Sequence, residues 1–159
     1  MSSLGVSSHT RAWMLMGANL LCLPAAHAVC RFQSTVGPSF GVYTSSATFP
    51  LDTTGSITYR CDAQPQLSTL TLDLSAGGAG SYFPRKLQGP SSNRLNYNLY
   101  LDATRLLIWG NGSLGTVRYG PVFPVNAVEV TVPIYGRIPA GQAASAGAYS
   151  DTLVITMTF

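Results

Sequence analysis

The stretch Val128-Glu129-Val130-Thr131-Val132-Pro133-Ile134 decides the fold class of this chain. Its apolar residues recur at every second position, which in a β-strand places them on one face and leaves Glu129, Thr131 and Pro133 on the other. The same period returns along the chain. Ile57, Tyr59 and Cys61 alternate with Ser56, Thr58 and Arg60, and Leu70, Leu72 and Leu74 with Thr71 and Asp73. Leu95, Tyr97, Leu99 and Leu101 alternate with Asn96, Asn98 and Tyr100. Leu153, Ile155, Met157 and Phe159 alternate with Thr152, Val154, Thr156 and Thr158, carrying the pattern to the last residue. Breakers stand between these rows: Thr54-Gly55, Ala76-Gly77-Gly78, Gly89-Pro90, Gly110-Asn111-Gly112 and Gly120-Pro121. No stretch after residue 28 shows sustained helical periodicity. The expectation is an all-β antiparallel sandwich of two sheets and about seven strands. Pro133 cannot donate a ladder hydrogen bond, so its strand lies at an edge or carries a bulge there.

The N-terminus reads differently. Residues 1–11 are small and polar and end in Arg11, and Ala12 to Leu23 form a mostly apolar run that Pro24 closes. Ala26-His27-Ala28 then supplies small residues at the −3 and −1 positions of a cleavage site. Charged start, short apolar run and A-x-A together describe a secretory signal peptide over residues 1–28, cleaved after Ala28. The run is too short to span a bilayer, which needs about 20 residues. Cys22 is a poor lipidation site, because Leu21 precedes it where a small residue belongs. A soluble domain over residues 29–159, secreted or periplasmic and without an integral membrane segment, is expected. Export also changes the meaning of the cysteines. Cys30 and Cys61 remain, an even number in an oxidising compartment, and are expected to pair. Cys61 lies on the inward row, so the bridge would tie the first strand to the second within the core.

Scarcity of charge limits the chemistry. Charged residues make up 9% of the chain, against roughly 25% in an ordinary soluble domain. Both histidines, His9 and His27, fall within the expected signal peptide, so residues 29–159 hold none and a Ser–His–Asp or Cys–His site is excluded there. The acids Asp52, Asp62, Asp73, Asp102, Glu129 and Asp151 read as turn or strand-edge residues, neither a catalytic pair nor a calcium cluster. Arg85-Lys86, after Pro84, reads as a solvated loop. Gly77-Gly78-Ala79-Gly80 lacks the helix and lysine of a phosphate loop. Eight basic and six acidic residues, spread along 29–159, form no nucleic-acid stripe. Asn111-Gly112-Ser113 matches a glycosylation sequon that Gly-rich turns generate by chance. No catalytic residue, cofactor or metal is expected. Tyr97, Tyr100, Tyr135 and Tyr149 read as half-buried strand residues. With Trp109, they are also the material of the alternative function, a secreted carbohydrate-binding or coat-matrix sandwich not assembled into fibres.

Several blocks, in their order, resemble the spore coat protein U domain. They are Ser39-Phe40-Gly41-Val42-Tyr43, Gly55-Ser56-Ile57-Thr58-Tyr59-Arg60-Cys61, Leu74-Ser75-Ala76-Gly77-Gly78 and Leu95-Asn96-Tyr97-Asn98-Leu99-Tyr100-Leu101-Asp102. Ile108-Trp109-Gly110-Asn111-Gly112, Tyr135-Gly136-Arg137-Ile138-Pro139-Ala140-Gly141-Gln142 and Gly147-Ala148-Tyr149-Ser150-Asp151-Thr152-Leu153 follow, with Phe159 at the end. The resemblance covers essentially all of residues 30–159, and the domain is similar to subunits of Csu-type (archaic) chaperone–usher pili. It implies an incomplete immunoglobulin-like sandwich whose final strand is supplied by another chain. A periplasmic chaperone would fill a hydrophobic groove with its own strand, and an incoming pilus subunit would replace it at an outer-membrane usher. By position, Leu153, Ile155, Met157 and Phe159 would wall that groove.

One departure bears on role. A polymerising subunit carries a donor segment of alternating apolar residues before its first cysteine, and here only Val29 separates the expected cleavage site from Cys30. Such a chain would accept a strand and give none, which implies a tip or minor subunit acting in adhesion and biofilm formation. Residues 29–159 leave no room for the added receptor-binding domain of family tip adhesins.

Overall fold

The computed structural model describes residues 29–63 and 68–159. The expected signal peptide and its cleavage residues, Ala26 and Ala28, lie outside the described residues. The described chain forms eight strands: β1 (Val29–Val36), β2 (Leu51–Asp62), β3 (Leu70–Leu74), β4 (Arg85–Gln88), β5 (Arg94–Tyr100), β6 (Tyr119–Val122), β7 (Glu129–Ile138) and β8 (Ile155–Thr158). They build a five-stranded sheet in the order β1-β2-β7-β5-β4 and a three-stranded sheet in the order β6-β3-β8. Every strand pairing is antiparallel. The two sheets and the all-β class are those expected from the sequence. The strand number exceeds it by one, because β4 and β6, of four residues each, are too short to display a period.

The longest ladder joins β2 to β7, from Leu51 opposite Ile138 to Arg60 opposite Glu129. Thr54-Gly55 stands inside this ladder and not at a turn. The chain after β1 folds back over Gly55 so closely that a Cβ there would strike the Val36 carbonyl, the kind of backbone approach that glycine in a strand permits. Gly120-Pro121 likewise falls within β6, an edge strand, where a missing N–H is tolerated. The expectation for Pro133 is not met as stated: β7 is the middle strand of its sheet, and its ladder with β2 runs through Pro133 without a bulge. β5 reaches β7 only at Tyr135, Gly136 and Arg137, so Pro133 sits where β7 has β2 on one side alone.

The inward rows make the core. Ile57, Tyr59 and Cys61 of β2, Leu70, Leu72 and Leu74 of β3, Leu95, Tyr97 and Leu99 of β5, and Val132, Ile134 and Ile138 of β7 are buried. Val128 lies outside β7 and is exposed, so the apolar row of that strand begins later than its sequence suggests. Trp109 is fully buried and donates its indole N–H to the Leu72 carbonyl at 3.1 Å, which removes it from any exposed carbohydrate-binding platform. Arg85 is also fully buried, on β4 and not in a solvated loop. Cys30 and Cys61 are direct cross-strand partners and are joined by a disulfide (S–S 2.06 Å).

Candidate functional site

Five strands face three, and the mismatch leaves a cleft of about 1030 Å³ between the sheets. Its floor is the inward row of the larger sheet: Leu87 of β4, Leu95, Tyr97 and Leu99 of β5, and Ile134 and Ile138 of β7. Leu74, Leu153 and Ile155 line the opposite side. Beside it runs β8, which pairs with β3 on one edge, from Thr71 opposite Thr158 to Leu74 opposite Ile155. Among the described residues no strand pairs with its other edge. Unused backbone N–H and C=O groups therefore adjoin an apolar trough, the arrangement that captures an added strand.

Two irregular segments frame the opening. The first is the loop that enters β2. Phe40 packs edge-on against Tyr97, with ring centroids 6.0 Å apart. The Tyr43 hydroxyl donates to the Pro139 carbonyl at 3.1 Å and accepts from the Gln142 N–H at 2.8 Å. Gln142 in turn exchanges two hydrogen bonds with the Asn96 backbone, at 2.8 and 2.9 Å. The Gly141-Gln142 end of the Tyr135–Gln142 block thus does a strand's work with one side chain. The second segment, residues 144–151, closes the other end. Ser150 exchanges backbone hydrogen bonds with Gln88, at 2.7 and 3.0 Å, and so covers the outer edge of β4.

The residues expected to wall a groove divide. Leu153 and Ile155 line the cleft. Met157 is half-buried against the core, and Phe159 follows β8 and is about half exposed (48%). The strand is shorter than its apolar row because Ser150 to Val154 is the crossing between sheets. The floor residues Leu95, Tyr97, Ile134 and Ile138 are visible in the sequence as alternating rows, but alternation does not say which row lacks a covering strand.

The polar groups hold structure. Asp52 is bonded by Arg137 at 2.7 Å and lies 3.3 Å from Arg105; the Arg137 hydrogen bond lowers its pKa against the opposing effect of burial. Asp62 pairs with Arg31 at 2.6 Å and Arg60 at 3.1 Å, and both lower its pKa. Asp102 accepts from the Thr104 hydroxyl and from the N–H groups of Leu106 and Leu107, which holds it down at about 2. Burial, then the hydrogen bond to Asp151, pushes the Tyr97 phenol above its usual range. Asn111 accepts from the Ser113 N–H and hydroxyl, closing an Asx turn within the sequon. Among the described residues no group of three or more His, Cys, Asp and Glu side chains could hold a metal ion. No helix among them is long and apolar enough to cross a membrane. The arrangement is equipped to bind an extended apolar segment.

The sequence and the fold have counterparts among known proteins. A curated relative, Protein U of Myxococcus xanthus, is 35% identical over 157 residues, covering 89% of this chain and 84% of its own. A solved complex has a chain of similar fold: the CsuC–CsuE chaperone–tip adhesion subunit pre-assembly complex from archaic chaperone–usher Csu pili of Acinetobacter baumannii. The match has a TM-score of 0.50 and 18% identity, and covers 84% of this chain but only 40% of that one. The family model of the Spore Coat Protein U domain matches residues 16–156. The chain belongs to the Spore Coat Protein U domain family.

Proposed function

We propose that this protein is an exported, non-catalytic subunit of a chaperone–usher surface pilus, and that its cleft is filled by an extended strand from another chain. The observation that carries the reading is the apolar cleft beside the unpaired edge of β8. A strand added there gains backbone hydrogen bonds along β8 and buries alternate side chains on Leu95, Tyr97, Ile134 and Ile138. Leu153 and Ile155 line the trough, while Met157 and Phe159 extend the β8 edge toward its end. Family membership and the fold likeness to a chain of a chaperone–subunit complex support the reading.

In this proposal residues 1–28 direct export and are removed after Ala28. A periplasmic chaperone then supplies the first strand, and at the outer-membrane usher a neighbouring subunit's segment replaces it. A mature chain starting at Val29 has no donor segment, so it ends the fibre as a tip or minor subunit, at the cell surface and in an adhesive role. Periplasmic expression of the full chain, with and without a co-expressed pilus chaperone, tests this. The expected result is a soluble one-to-one complex with the chaperone and aggregation without it. An equal yield of soluble monomer with and without the chaperone would overturn strand acceptance. Mass spectrometry of the mature N-terminus tests the role: a start at Val29 supports the tip position, and a start well upstream refutes it.

A further inference from the structure

One carboxylate ties the two sheets together at the rim of the cleft. The chain leaves the larger sheet at Ser150, which is bonded to Gln88. It joins the smaller sheet at Val154, whose carbonyl accepts from the Ser75 N–H and whose N–H donates to the Ser75 hydroxyl, each at 2.9 Å. Asp151 stands in that short crossing. Its Oδ2 accepts the Tyr97 hydroxyl proton at 2.7 Å, and its Oδ1 accepts the N–H groups of Gly78 and Thr152, each at 2.8 Å. Tyr97 belongs to β5 of the larger sheet, and Gly78 to the turn that follows β3 of the smaller one. Gly77, at φ +77°, brings that turn so close that a Cβ would overlap the Asp151 carboxylate.

The partners of Asp151 are themselves parts of the cleft. The Tyr97 ring is floor, and Phe40, from the loop that enters β2, packs edge-on against it. We infer that Asp151 is a positioning residue which presets the width of the cleft and the placement of β8 for an incoming strand. It acts through Tyr97 and Gly78. The physical reason is that an unfilled apolar trough gains by closing on itself, and a closed trough must be reopened before a strand can enter. Charge-assisted hydrogen bonds to both sheets resist that closure. This inference rests on the cleft being a strand acceptor.

The test uses residues 29–159 folded on the chaperone, then separated from it, held dilute enough that open clefts do not meet one another, and titrated with a fluorescein-labelled synthetic peptide. The peptide has roughly ten residues alternating valine with threonine, the length of a long strand. Fluorescence anisotropy gives Kd, and circular dichroism with Trp109 fluorescence verifies the fold of each variant. Asp151→Asn retains one acceptor and loses the charge, and is expected to raise Kd about tenfold, as is Tyr97→Phe, since each removes a hydrogen bond to a charged group. Asp62→Asn, a paired carboxylate outside the cleft, is expected to leave Kd unchanged. A purely structural Asp151 would lower the melting temperature of Asp151→Asn and leave its Kd at the wild-type value, and that result overturns the inference while strand acceptance stands. Failure of the wild-type domain to bind either the peptide or a chaperone overturns both.

Discussion

Arg85 is a charged side chain with no exposure to solvent, and among the described residues no carboxylate is bonded to it. Its guanidinium instead donates to the Ser75 carbonyl at 2.8 and 3.1 Å, the Asn98 amide oxygen at 2.9 Å and the Trp109 carbonyl at 2.6 Å. It also lies 4.9 Å from the centre of the Tyr82 ring. Burial lowers its pKa, opposed by Tyr97, Tyr82 and Asp151. One side chain thus satisfies backbone acceptors at two places where the smaller sheet has run out of strands. Arg85→Met would leave the Ser75 and Trp109 carbonyls buried and unpaired, at about 1–3 kcal/mol each, while the Asn98 amide oxygen keeps the Leu99 N–H, so a loss of at least about 2 kcal/mol is expected. Arg85→Lys keeps the charge without the planar fork and is expected to lose less. Urea unfolding followed by the fluorescence of Trp109, the only tryptophan in residues 29–159, measures both; a loss for Arg85→Met under about 1 kcal/mol contradicts this account. The residue was legible only in part. Its spacing to Leu87 is period two, yet β4 is so short that Arg85-Lys86 after Pro84 reads as a loop. Charge argues for solvent until its acceptors are known, and these come from distant turns.

At the scale of elements, the sequence speaks clearly where strands are long and silently where they are short. The inward rows of β2, β3 and β5 are the buried rows of the structure. β7 departs from its sequence pattern only at Val128, beyond the strand end. Turn signals were less dependable, because Gly55 and Gly120 serve close backbone contacts inside strands. β1 is the most exposed strand, with a bulge between Phe32 and Ser34 that spoils its outer edge for pairing. What holds it is the β2 ladder, the ion pair of Arg31 with Asp62, and the Cys30–Cys61 disulfide. The bridge spans 31 residues of sequence, and in the loop-entropy account its removal costs about 3–4 kcal/mol. A Cys30→Ser, Cys61→Ser double variant is therefore expected to unfold at markedly lower urea concentration, with a steeper denaturant slope because the unbridged unfolded chain exposes more surface. An unchanged midpoint would mean that the β2 ladder alone secures β1. The ion pair is exposed and adds little by comparison.

At the scale of the whole molecule, the five-against-three imbalance is the feature that alternation could not reveal. Each row announces that it must be covered, and none says by what. The charge inventory is easier to carry from sequence to behaviour, because residues 29–159 contain no histidine and few acids. On the acid side, Asp52, Asp62 and Asp102 all have lowered pKa values, through Arg137, Arg31 and Thr104 in turn. A carboxyl with a lowered folded pKa releases its proton more readily in the native state. Its contribution is therefore present above the unfolded value near about 3.9 and is lost as pH falls through the folded value. On the alkaline side, burial raises the phenols of Tyr59, Tyr97 and Tyr100. The unfolded chain then ionises first, so stability declines as pH rises above about 10. Between these limbs no imidazole titrates. The urea midpoint of the folded domain, followed through Trp109, is expected to hold a plateau from about pH 5 to 9 and to fall on both sides. Asp102→Asn should weaken the acid limb between about pH 4 and the folded value of about 2, leaving the alkaline limb in place. A midpoint that drops between pH 5 and 8 would require a titrating group outside this inventory and would contradict the assignment of pH sensitivity to paired carboxylates and buried phenols.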